Sequence, residues 1–150
     1  MGLSLRDETK VEHALSIRES KFEETFTDLQ RVYKRKRLLD NYKTTDNYED
    51  SDTDKTRSNI FDARMFEEKV IQIINKHATY VAKYKVLGCI DPKKWEDIKA
   101  ETTLAGNTSI LLDSEDLAEL GKPLAFYKVL VASNVSGQSC IIDAYMGAKT

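Results

Sequence analysis

Large apolar residues near the start of the chain fall at Val11, Leu15, Phe22, Phe26, Leu29 and Tyr33, in steps of four, seven, four, three and four. That spacing predicts an amphipathic helix, and no Pro or Gly interrupts it between Lys10 and Leu39. The stripe is narrow, and the other positions are mostly Glu, Lys, Arg, Ser and Asp, as expected of a helix docked along one seam. Such a helix is marginal in water unless a face is packed. Aromatic residues in the seam favour docking into a groove over a regular two-stranded coiled coil. The expectation is a helical arm over residues 1–40, with Leu15, Phe22, Phe26, Leu29 and Tyr33 as its partner-binding seam.

Residues 40–60, DNYKTTDNYEDSDTDKTRSNI, are polar, acidic and rich in Asn, Asp, Thr and Ser, a composition that predicts a flexible linker over 41–60. Helical spacing then returns in Phe66, Val70, Ile73, His77, Val81 and Tyr84, which predicts a core helix over 63–86. Gly88 can stop that helix, and Asp91-Pro92 reads as the N-cap and first position of another, with Trp95, Ile98 and Leu104 on its apolar edge. The stretch Ser114–Pro123, SEDLAELGKP, carries the signals of a short third helix, from a Ser cap to Gly121 and Pro123.

Beyond it, Leu124–Ala132 and Ser139–Met146 are β-branched and aromatic, with turn residues SNVSGQ between them, and read as an antiparallel hairpin. A two-stranded hairpin is hardly stable alone. Ser109–Leu112 or a partner chain would supply a third strand. The fold class expected is therefore α+β: a long N-terminal amphipathic helix, an acidic linker, and a body over 61–150 of three helices on a short antiparallel sheet.

Charge changes this picture only locally. The formal net charge of the 150 residues is −2, made of 12 − 14 = −2 over residues 1–62 and 11 − 11 = 0 over 63–150. Neither part is globally basic, which argues against a dedicated nucleic-acid binder. The sharpest local feature is RVYKRKR, Arg31 to Arg37, with five cations in seven positions, answered by the acidic run Asp46–Asp54. On a helix, Arg31, Lys34, Arg35, Lys36 and Arg37 would point around all sides. The plain reading is a cationic helix end that complements its dipole. The functional alternative is a phosphate or nucleic-acid contact made by those five residues.

Candidate chemistry is sparse. Asp50, Asp52 and Asp54 alternate as at the start of a calcium loop, but Lys55 stands where Gly is needed and Phe61 where the closing Glu belongs. Ser51 and Thr53, set among acids, are better read as candidate phosphorylation sites. His77 lies in an apolar stretch, where a hydrogen-bonded structural role is expected. No metal-ligand spacing, phosphate loop or nucleophile elbow occurs in the sequence, and Ser136-Gly-Gln-Ser139 reads as a turn. Cys89 and Cys140 sit in apolar stretches as core thiols.

No catalytic, cofactor or metal residues are assigned. No run of about 18 apolar residues occurs, and the start lacks a signal-type apolar region, so a soluble intracellular, cytoplasmic protein is expected. Together these readings point to a non-enzymatic structural or adaptor subunit. It would bind protein partners in a larger assembly, homo-oligomers included, through its arm and its C-terminal sheet edge, without membrane association. The alternative is a nucleic-acid accessory factor.

Overall fold

Alternation, rather than helical period, governs the chain from Tyr33 onward. In Glu68–Asn75, EKVIQIIN, the side chains of Lys69, Ile71, Ile73 and Asn75 are buried while Val70, Gln72 and Ile74 between them are half-buried, the two-residue period of a strand. The computed structural model describes residues 33–49 and 59–150, and Tyr33–Thr150 form one compact unit.

Its strands are β1 (Tyr33–Lys43), β2 (Phe61–Asp62), β3 (Glu68–Asn75), β4 (Ala82–Cys89), β5 (Glu96–Leu104), β6 (Thr108–Leu112), β7 (Phe126–Ser133) and β8 (Ile141–Lys149). They form two four-stranded sheets, β1-β8-β3-β6 and β2-β7-β4-β5, antiparallel throughout. The pairs nest: β4 with β5, β3 with β6, β2 with β7, β1 with β8. A long hairpin wrapped on itself gives this connectivity, that of the eight-stranded double-sheet jelly roll.

The core lies between the sheets. Ile71 and Ile73 of β3, Ile142, Ala144 and Met146 of β8, Tyr84 and Val86 of β4, and Tyr127, Val129 and Val131 of β7 form one buried cluster. Polar groups close it at both extremities of β3. The Asn75 side-chain amide donates to the carbonyls of Tyr80 and Leu104 and its oxygen accepts from the His77 N–H. The Lys69 ammonium, 2% exposed, donates to the Lys122 carbonyl at 2.7 Å and lies 3.4 Å from the Tyr127 hydroxyl.

The architecture corrects the α+β expectation. The longest helix among the described residues is a four-residue 3-10 turn, Ala118–Gly121, where the third helix was expected. The helical arm fails over its last turns: Tyr33–Lys43 is a strand paired with β8, and residues 1–32 lie outside the described residues. Amphipathic-helix and coiled-coil readings go with it. The core helix over 63–86 is instead β3, a loop and β4. Its apolar positions satisfy both periods, and the β-branched run Val70-Ile71-Gln72-Ile73-Ile74 favours the strand. Asp91-Pro92 opens a turn, with the Lys94 N–H donating to the Asp91 carbonyl, and Trp95 leads into β5 rather than a helix.

The C-terminal strands occur where expected but do not pair with each other. β7 pairs with β2 and β4, and β8 with β1 and β3, because their connection carries the chain from one sheet to the other. Neither is therefore the sheet edge that was expected to dock partners. The expected linker is partly built: residues 41–43 complete β1, residues 44–46 are pinned to the end of β7 and the β7–β8 connection, and the Tyr48 hydroxyl donates to Glu101 on β5. Thr44 exchanges hydrogen bonds with Cys140 and Ser133, and Asp46 accepts from the Ser136 hydroxyl and the Gly137 N–H. Those two donors hold its carboxyl below the usual range. Residues 50–58, with Ser51, Thr53 and the acidic triplet, lie outside the described residues.

Candidate functional site

Residues of β1, β8, β3 and β6 that point away from the core form the outer face of the first sheet, and the register arranges them in rows. Tyr33, Lys149 and Glu68 make the first row, Arg35, Gly147 and Val70 the second, and Arg37, Tyr145, Gln72 and Leu111 the third; Asp143, Ile74 and Ser109 follow. Gly147 leaves a gap at the centre: a Cβ built there meets nothing within 4 Å. The result is a groove of about 840 Å³ running across this face.

It is lined by the apolar side chains of Val70, Ile74, Leu111 and Tyr145, and its rim is cationic, with Arg35 and Lys149 against the single acid Glu68. Lys149 and Glu68 pair at 3.2 Å. The guanidiniums of Arg35 and Arg37 lie 5.2 and 5.3 Å from the centre of the Tyr145 ring, a cation–π arrangement that holds the ring in place. Tyr33 and Leu111 remain 71% and 60% exposed.

One end of the face is braced by Asp143, 3% exposed. Its carboxylate accepts from Arg37 at 3.0 Å, Lys76 at 2.7 Å and the Asn41 N–H at 2.8 Å. Burial pushes this carboxyl up, but the hydrogen bonds from Lys76, the Asn41 N–H and Arg37 outweigh it and leave it below the usual carboxylate range. Arg37 is in turn held above its ordinary value, chiefly by its bond to Asp143.

The basic run is dealt to two sides of β1. Arg35 and Arg37 face Tyr145, Lys34 lies 4.9 Å from the Phe61 ring centre, and Lys36 donates to the Ile60 carbonyl. Arg31 lies outside the described residues, as do Leu15, Phe22, Phe26 and Leu29, whereas Tyr33 opens β1 and lines the groove. His77 sits in the β3–β4 loop, its Nδ1 accepting from the Thr79 and Tyr80 N–H groups and its ring stacked on Tyr80 at 4.0 Å, so its role is structural. Both cysteines are buried and free. No cluster of metal-ligating side chains occurs among the described residues, and none of their helices is long and apolar enough to cross a membrane.

Sequence reasoning missed Val70, Ile74, Leu111, Tyr145 and Gly147 as one surface. The signal was present in the alternation of Glu68-Lys69-Val70-Ile71-Gln72-Ile73-Ile74 and in the glycine set between Tyr145 and Lys149.

No protein family and no curated protein matches the chain. Among solved structures it is similar to a chain of the T13 IBDV viral particle (TM-score 0.40, 9% identity, covering 80% of this chain and 31% of that one). It is also similar to a protein of the disulfide-linked pili of Bacillus endospore appendages (TM-score 0.42, 6% identity, 79% and 89%). A third is the C-terminal family 22 carbohydrate binding module of Clostridium thermocellum Xyn10B (TM-score 0.35, 15% identity, 59% and 61%). The chain thus spans about a third of the length of the viral chain. These names describe a viral particle, a pilus and a carbohydrate binding module, and a fold alone does not choose among them.

Proposed function

We propose that this chain is a non-enzymatic structural subunit that docks onto a protein neighbour in a larger assembly through the groove on its first sheet. The observation that carries this reading is the composition of that face: an apolar lining opened by Gly147, Tyr145 and Tyr33 as large aromatic contacts, and a rim of Arg and Lys. Exposed apolar patches with polar rims characterise protein contacts, and Tyr and Arg dominate their energetics. A groove with one acid already ion-paired supplies contact chemistry rather than proton transfer. The apolar positions Leu15, Phe22, Phe26 and Leu29 that precede β1, with Tyr33 at its start, supply a second partner contact.

The test is chemical cross-linking of the full-length protein in its native source, read by mass spectrometry, with and without Gly147→Phe. The substitution fills the groove at a position where the backbone tolerates a Cβ. Lys149 on the rim should cross-link to a neighbouring protein and lose that link in the variant, while Lys93 and Lys94 on the β4–β5 turn behave alike in both. Rim cross-links that survive the filling would refute the reading.

A further inference from the structure

The four sheet edges are not treated alike. An unpaired edge strand invites pairing with another chain, and proteins blunt edges by shortening them, kinking them or charging them. β2 has two residues. β1 carries Lys34, Arg35, Lys36 and Arg37 and shifts register twice against β8. β5 carries Glu96, Asp97, Lys99 and Glu101 and shifts register against β4.

β6, Thr108–Leu112, has none of these features. Its sequence is TSILL, with no charge, no Pro and an unbroken register against β3. It pairs with β3 alone among the described residues, as the last strand of its sheet. The tight β5–β6 turn also fixes it. Asn107 adopts a left-handed φ of 55°, the Thr108 hydroxyl donates to the Ala105 carbonyl at 2.6 Å, and Gly106 lies so close to the Thr79 backbone that a Cβ would approach within 2.7 Å.

We infer that β6 is a self-association edge, at which a second copy of this chain adds its own β6 antiparallel across a two-fold axis. Centred on Ile110, that pairing sets Leu111 beside the Ser109 of the other copy twice over and brings no charge against a charge. It satisfies the outward backbone groups of both strands, and it covers Leu111, the most exposed apolar side chain of β6. Because Leu111 also lines the groove, the pair joins two grooves into one trough across an eight-stranded sheet. Isologous pairing of this kind needs one self-complementary patch only, and strand addition at an edge gains its affinity from main-chain hydrogen bonds. The inference goes beyond the docking reading and does not require it.

The experiment is sedimentation velocity of the full-length protein over a wide concentration range, for the wild type, Leu111→Lys, Ser109→Lys and Gly147→Phe. Both lysine substitutions are at exposed positions, so melting temperatures should stay close to wild type. The expected result is a concentration-dependent dimer in the wild type and in Gly147→Phe, lost in both lysine variants, with amide exchange slowing over residues 109–112 as the dimer forms. A wild type that stays monomeric overturns the inference. So does a dimer indifferent to the lysines. A dimer lost only in Gly147→Phe would place the second copy in the groove, overturning the edge pairing while leaving the docking reading intact.

Discussion

Replacing Asp143 by Asn removes the charge at the centre of the brace beside the groove while keeping its shape. The wild-type carboxylate, 3% exposed, accepts hydrogen bonds from Arg37, Lys76 and the Asn41 N–H. Hydrogen bonds to charged groups contribute ~1.5–3 kcal/mol each, yet the Arg37 and Lys76 side chains are 39% and 40% exposed and regain water when the carboxylate is lost. The net cost is therefore about 2–3 kcal/mol, at and just below the lower limit of the ~3–5 kcal/mol for breaking a fully buried pair. For a unit of this size that is roughly 8–12 °C in melting temperature.

The loss also has a pH signature. Because the folded carboxyl lies below its ordinary value of 3.8, its contribution is complete above the unfolded value and disappears as pH falls through the folded one. Thermal melts followed by circular dichroism at neutral pH and in steps below pH ~4 should show a wide gap between wild type and Asp143→Asn that closes in acid. A variant as stable as wild type at neutral pH, or a gap that does not change with pH, refutes the account of the brace.

Two paired glycine substitutions separate tight from open positions. Gly106→Ala forces a Cβ against the Thr79 backbone and should cost about 2 kcal/mol in urea unfolding, whereas Gly147→Ala, with open space around it, should leave the midpoint nearly unchanged. Lys69→Met removes a buried ammonium that burial holds below its ordinary pKa. The unfolded chain binds that proton more tightly, so wild-type stability rises as pH climbs from the folded value toward the unfolded one. The variant should therefore match or exceed wild type near neutrality and lose ground to it toward pH ~10, and parallel pH profiles would contradict this. Tyr127→Phe, which removes a hydroxyl donating to the Glu119 carbonyl at 2.8 Å and whose ionisation burial pushes up to about 12, should cost ~1 kcal/mol, measured by denaturant titration.

What the sequence discloses of this fold divides along physical lines. β7 and β8 were legible because β-branched and aromatic residues crowd them and turn residues bound them, whereas β6, the short TSILL, was offered only as an alternative to a partner's strand. β3 and β4 were not, because Phe66, Val70, Ile73, His77, Val81 and Tyr84 fit a helical stripe as well as Ile71, Ile73, Tyr84 and Val86 fit alternation. The loop at His77-Ala-Thr-Tyr80, which breaks the apparent helix, carries neither Gly nor Pro. RVYKRKR misled for a related reason: cations on a strand alternate in direction, so a run that looks like one patch is split between Tyr145 on one side and Phe61 and Ile60 on the other. The groove itself depends on pairing between strands as distant in sequence as β1 and β8, and no local pattern reports that register. Its local traces are the alternation over Glu68–Ile74 and Gly147.

Oxidative footprinting of the protein in its native assembly, compared with the purified chain, tests the docking claim most directly. Tyr33 and Tyr145 report on the groove, and Met65 and Ile90, 72% and 73% exposed, report on surfaces elsewhere in the sandwich. The account predicts that both tyrosines become protected in the assembly while Met65 and Ile90 react as in the free protein. Protection of Met65 or Ile90 with both tyrosines still reactive would contradict it.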